Sequence, residues 1–153
     1  MIRVTSADGT PIACDRSGAG PAVILVDGAL CRRAFGPSKK IADALSHAFT
    51  VYTYDRRGRG DSGDTTPYAT AREVEDLAAV IAHAGGSAAL VGLSSGAALA
   101  LEAAASGLPV TKVVAYEPPY VDHDGRGREL PHRAALEERL RQGDRGAAVA
   151  YFM

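Results

Sequence analysis

The chain has almost no charge surplus, little cysteine and no long apolar run, and each shortage removes a class of protein. Its 153 residues carry 17 Lys+Arg against 18 Asp+Glu, a net charge of −1, with the two signs interspersed. That leaves no electrostatic footprint for nucleic acid or for an anionic membrane surface. Only Cys14 and Cys31 are present. They have no metal-ligand spacing and read as the reduced thiols of a cytosolic protein. The longest strictly apolar runs are a few residues, far below the roughly 20 that span a bilayer. The N-terminus lacks the basic and apolar regions of a signal peptide. What remains is 46% apolar and 23% charged. One domain of this size can bury about 70% of its unfolded surface. The composition therefore points to a soluble, cytoplasmic α/β domain.

The patterning is that of strands alternating with helices. Residues 2–5 and 11–14 flank Asp8-Gly9, a strong hairpin signal. Ala22–Val26 is the continuous apolar run of a strand buried on both faces. A helix is predicted over 38–47, with Ile41, Ala44, Leu45 and Ala48 as its buried stripe. A β-branched and aromatic strand follows over 49–54. Thr70-Ala71-Arg72-Glu73 has the form of a capping box. It opens a helix with Val74, Leu77, Ala78 and Ile81 inward and Gly85-Gly86 at its end. Strands are predicted over 88–93 and 110–116, with a helix from Ser95 to about Ser106 between them. This alternation implies a mostly parallel sheet covered on both faces. After Pro118-Pro119 the chain turns polar and Gly/Arg-rich over 121–133. A helix marked by Leu136 and Leu140 follows, then a last helix with Asp144 as its N-cap. That helix ends on apolar residues without a C-cap, as if cut rather than finished.

Gly92-Leu93-Ser94-Ser95-Gly96 lies between an apolar strand and a small-residue helix. This is the strand–turn–helix setting of the G-x-S-x-G nucleophile elbow. Two further motifs accompany it: Val26-Asp27-Gly28-Ala29 after the third strand, and Asp55-Arg56-Arg57-Gly58-Arg59-Gly60-Asp61-Ser62-Gly63 after the fourth. Together they resemble the α/β-hydrolase fold superfamily, residues 1–120 its N-terminal half and residues 121–153 the start of its helical lid. The resemblance implies strand order 1-2-4-3-5-6 here, the first six strands of an eight-stranded sheet. It makes Ser94 the nucleophile, and the backbone N–H groups of Ser95 and Ala29 the oxyanion hole. Asp27 stands where the family usually has histidine. Serine at the elbow implies attack on an acyl carbonyl through a transient ester, without cofactor or metal. The implied partner is a small acyl substrate, an ester or related compound.

The acid and base that the resemblance requires are the difficulty. In the family the acid normally follows the seventh strand and the histidine the eighth, and neither strand is in this chain. Loss of the base costs about 10⁶ in kcat. Of the resident histidines, His47 and His83 read as helix-end residues; His123 and His132 read as solvated lid-loop residues, with a self-sufficient hydrolase using one of them as base the remaining alternative. Glu117, ending the sixth strand, is either the triad acid or an anchor of the lid. Two expectations stand side by side: a serine hydrolase completed by a C-terminal half, or a non-catalytic truncated chain associating, as a homo-oligomer, through its sixth strand. Other motifs are discounted. Gly58-x-Gly60-x-x-Gly63 lacks the acidic residue that a dinucleotide needs. Arg59-Gly60-Asp61 suggests adhesion only in a secreted protein. Asp122-His123-Asp124 reads as polar loop, and Arg56-Arg57-Arg59 as an exposed, salt-bridged turn.

Overall fold

The computed structural model describes residues 1–120 and 133–153, with side chains from 134 in the second stretch. Chain contacts divide it into two compact units, Met1–Tyr120 and Val121–Met153. The first unit is a six-stranded sheet built from β1 (Ile2–Thr5), β2 (Pro11–Ser17), β3 (Ala22–Val26), β4 (Thr50–Tyr54), β5 (Ala88–Leu93) and β6 (Val110–Tyr116). Its order is β1-β2-β4-β3-β5-β6. Strands β3 to β6 pair in parallel, while β2 pairs antiparallel with both β1 and β4. The strand ending the first hairpin runs to Ser17, three residues past the expected end, because residues 14–17 pair with β4.

Alternation along β3 sends its side chains into two cores. Ile24 and Val26 pack with Tyr52, Tyr54 and Leu90 under α2 (Thr70–His83) and α3 (Ser95–Ala105). Val23 and Leu25 pack with Val51 and with Ala42 of α1 (Ser38–Leu45). A strand covered on both sides is what its unbroken apolar run demands. Helix α1 buries Ser38 and Ala42, with Ile41 and Leu45 half-buried, whereas Ala44 and Ala48 are exposed. It also ends two residues early, leaving His47 in the following turn. The inward stripe, Ser38, Ile41, Ala42 and Leu45, therefore lies three residues before the predicted one.

Helix α2 departs from expectation more instructively. Its N-cap is Ala69, with no side-chain cap bond, so the capping box does not form. Glu73 is instead buried and receives Arg56 Nε and Nη2 at 2.5 and 2.6 Å, with Tyr68 Oη at 2.9 Å. Asp76, one turn on, is also buried and takes Arg57 Nε and Nη2 at 2.8 and 2.7 Å. Arg57 adds Asp8, Thr65 and the Arg72 carbonyl. The predicted exposed turn at Arg56-Arg57 is thus an interior ion-pair network. Two arginines reach under the helix that carries their acids, and the apolar pattern of that helix says nothing of them.

The second unit contains α4 (Arg133–Arg141) and α5 (Arg145–Phe152). Asp144 caps α5 by accepting from Ala147 N at 2.9 Å, as its sequence position implies. Arg139 stacks on Tyr151, 4.1 Å from the ring centroid. Among the described residues no helix is long and apolar enough to cross a membrane.

The Arg57–Asp76 pair yields a stability prediction. Both side chains are about 1% exposed, so Arg57→Met strands a buried carboxylate. The expected loss is about 3–5 kcal/mol in denaturant unfolding. Replacing Asp76 by Leu as well recovers much of it. A single variant within 1 kcal/mol of wild type would show that the pair is not desolvated as described.

Candidate active site

Three non-glycine residues of the described chain have positive φ: Leu30 at 61°, Ser94 at 51° and Glu117 at 46°. Each lies just past the C-terminal end of a parallel strand, β3, β5 and β6. The register pairs Val26 with Gly92 and Leu93 with Tyr116, which sets those ends level. Between β3 and β5 the chain reverses its direction of winding, the place where open α/β sheets leave a crevice for ligand. Backbone strain concentrated there makes this edge the candidate site.

Ser94 is exposed and bridges β5 and α3 at φ 51°, ψ −122°. Its neighbours make that geometry possible. A Cβ on Gly92 would lie 2.5 Å from Ala97 Cα, and one on Gly96 2.0 Å from the Val26 carbonyl oxygen. The elbow glycines therefore let α3 turn back directly onto the ends of β5 and β3. Gly28 meets the same requirement from the other side, since a Cβ there would sit 3.2 Å from Ser94 Cβ. The Ser94 amide is tied to β6 through the Tyr116 carbonyl at 2.9 Å. Among the described residues neither the Ser95 nor the Ala29 N–H has a protein acceptor. Glu117, next after that carbonyl, is exposed at the same edge.

Arg56 organises this edge, a role its place in a basic cluster did not suggest. Beyond its fork onto Glu73, its Nη1 donates to the Asp27 carbonyl at 3.1 Å and to Ser95 Oγ at 3.0 Å. Burial alone would raise the Glu73 carboxyl. Hydrogen bonds from Arg56 and Tyr68, with the Arg56 charge, outweigh it and hold Glu73 below the ordinary range. Asp55 works similarly one loop away. Its burial opposes ionisation, but the Asp61 and Arg33 amides and the Arg33 guanidinium keep it ionised. Gly60, at φ 53°, leaves room for that carboxylate, since a Cβ would strike Asp55 Oδ2 at 2.2 Å. The glycines of the G-x-G-x-x-G run thus pack on Asp55, Asp64 and Pro11 instead of forming an open phosphate cradle. A cleft of about 130 Å³ beside Arg33 is structural in character. Asp15, Asp55 and Asp61 take up its guanidinium at 2.6, 3.0 and 2.7 Å.

His47 and His83 do not approach Ser94. His83 is the last residue of α2 and His47 lies in the turn after α1, each leading into the N-terminal end of the next strand. By chain position both precede the N-terminal ends of the strands that follow them, β4 and β5, whereas Ser94 follows the C-terminal end of β5. His83 packs edge-on against Tyr52 with ring centroids 6.1 Å apart. His123, His132 and the Asp122-His123-Asp124 run lie outside the described residues. Within the described residues no cluster of His, Cys, Asp or Glu could hold a metal. Cys14 and Cys31 are free thiols, and burial pushes Cys14 up to about 12.

Residues 18–153 match the alpha/beta hydrolase family, and the chain belongs to it. An alpha/beta hydrolase from Sphaerobacter thermophilus DSM 20745 is 56% identical, with a TM-score of 0.90 over 99% of this chain and 59% of that one. The bottromycin epimerase BotH is 32% identical, TM-score 0.72, over 91% of this chain and 55% of its own. A thermophilic esterase from Thermogutta terrifontis is 28% identical, TM-score 0.65, over 73% and 43%. The chain thus spans between two-fifths and three-fifths of the length of these relatives. No curated protein matches it.

Asp27 is buried, and its Oδ1 has no hydrogen-bond partner among the described residues. Burial raises its pKa, opposed by Ser38, which faces it outside full hydrogen-bonding geometry, and by Arg59 and Arg56. A carboxyl raised on folding is destabilising once ionised. Its penalty is absent below the unfolded value near 4 and grows as pH rises through the folded value. Asp27→Asn should therefore raise the melting temperature at pH 7 and lose that advantage near pH 3. An advantage independent of pH would contradict the desolvated carboxyl.

Proposed function

We propose that this chain forms the nucleophile-bearing half of a serine hydrolase acting on a small, mainly apolar ester or related acyl compound. The observation that carries the proposal is the exposed Ser94 hydroxyl on a strained turn, beside two N–H groups without protein acceptors. A serine there adds to an acyl carbonyl, and the Ser95 and Ala29 amides receive the oxyanion, each worth about 3 kcal/mol. Family membership alone does not specify this reaction, because one relative with 32% identity is an epimerase. The esterase among the relatives supports the acyl reading.

The base lies outside the described residues in this proposal, supplied by a complementary C-terminal half. The lid is residues 121–153, the substrate sits beside Ala29 and Leu30, and the reaction takes place in the cytoplasm without a cofactor. Glu117 is the resident candidate for the acid. In the whole protein, Ser94→Ala should reduce p-nitrophenyl butyrate turnover at least about 10⁴-fold. Glu117→Gln lowers kcat on a similar scale if Glu117 orients the base, and lowers melting temperature alone if it anchors the lid. Turnover that survives Ser94→Ala removes the nucleophile assignment.

A second reading concerns partners. Strand β6 lies at the end of the sheet with Val114 57% and Tyr116 61% exposed. An edge of unpaired backbone groups with apolar side chains favours strand addition. We propose that β6 pairs with the complementary half or, in its absence, with a second copy. Sedimentation of the isolated chain should show dimer, and Val114→Lys should shift it toward monomer. A wild-type chain that stays monomeric at high concentration rules out self-pairing.

A further inference from the structure

Among the described residues, Arg59 is the arginine of its loop that forms no ion pair with a carboxylate. Arg33, Arg56 and Arg57 each hold acids. Arg59 has no such partner among the described residues, and its Nη1 donates to the Gly28 carbonyl at 2.7 Å. Burial and the nearby Arg56 cation both work against its charge, so the residue adds little to stability as a cation. Its contact explains its position better.

The Gly28 carbonyl belongs to the same peptide plane as the Ala29 N–H. That peptide is trans, so its C=O and N–H point in opposite directions. The one cis bond of the described chain is elsewhere, at Thr66-Pro67. Anchoring the oxygen on Arg59 therefore aims the Ala29 N–H away from Arg59. The preceding peptide is fixed in the same way, with the Asp27 carbonyl on Arg56 Nη1 at 3.1 Å. Two successive peptides are thus clamped by arginines of one loop. Leu30 follows immediately at φ 61°, a conformation that needs such external support. Gly28 itself abuts the Ser94 side chain. A charge-assisted hydrogen bond to a peptide oxygen also polarises the unit, making its N–H a stronger donor.

We propose that Arg59 is the positioning residue of the oxyanion hole, holding and polarising the Gly28–Ala29 peptide so that its N–H meets the developing negative charge. This rests on the acyl-transfer reading of Ser94. Arg59 touches no reacting atom; it acts through the peptide.

The test compares Arg59→Met, Arg59→Gln and Arg59→Lys in the whole protein, with melting temperature as a folding control. The first readout is p-nitrophenyl butyrate kinetics. Arg59→Met should lower kcat about tenfold to a hundredfold with KM within twofold, a fraction of the cost of deleting an oxyanion donor. Arg59→Lys, which can still donate to the carbonyl, should recover most of it. The second readout needs no turnover: the Ala29 amide resonance should move upfield in Arg59→Met, while that of Ser95 stays. An unmoved Ala29 resonance with unchanged kcat overturns the proposal. So does a rise in KM with Ala29 unmoved, which would mean that Arg59 binds substrate directly. If Ala29 moves but turnover survives Ser94→Ala, the clamp stands, and the acyl-transfer reading fails together with the catalytic role of Arg59. Arg59→Gln decides the matter should the Met variant fail to fold.

Discussion

The buried ion pair between Arg56 and Glu73 holds together the parts of this molecule that matter for chemistry. Desolvating two charges costs several kcal/mol each, recovered only where the remaining donors are also satisfied. Four Arg56 contacts do this: two to Glu73, one to the Asp27 carbonyl and one to Ser95 Oγ. The guanidinium therefore ties the loop after β4 to helix α2, to the end of β3 and to the elbow. Loss of either charge leaves the other stranded, so the constellation holds as a unit.

Around that fixed point the strain has a purpose. Leu30, Ser94 and Glu117 would each relax to negative φ in an unconstrained chain. Ser94 is kept otherwise by its bond to Tyr116 and the close packing of Gly92 and Gly96, and Leu30 by the clamped peptides before it. The small-residue contacts of Gly28, Gly92 and Gly96 make the approach of two strand ends, β3 and β5, and one helix sterically feasible. An exposed hydroxyl with free amides beside it is the result. The same architecture leaves His47 and His83 ahead of the N-terminal ends of β4 and β5, while Ser94 follows the C-terminal end of β5.

Much of the fold was legible because local rules and global topology agree. The apolar run Ala22–Val26, the β-branched and aromatic residues of β4 and the small residues after Ser94 each admit few other structures. The close approach at Gly92 and Gly96 could be read for the same reason: two glycines around a serine after a strand have little other use. Two of the misreadings share one cause. The capping box at Thr70–Glu73 and the exposed arginine turn were plausible because acids near a helix start and arginines near glycines usually face water. Glu73 and Asp76 at i and i+3 beside Leu77 and Val80 are a signal of a buried acidic face, legible only once partners for both are in view. The role of Arg59 had no local signal, since its contact lies 31 residues away in sequence.

The sequence by itself determined the strand and helix content, the sheet order through the family motifs, and the serine that the turn presents. These depend on periodicity, glycine placement and neighbours within a few residues. Only the tertiary structure decided which charges are interior, which amides remain free, and that Arg59 grips the peptide beside the serine. Such choices rest on long-range pairing, where burial makes a charge costly alone and stable with its partner, and no local pattern records who the partner is.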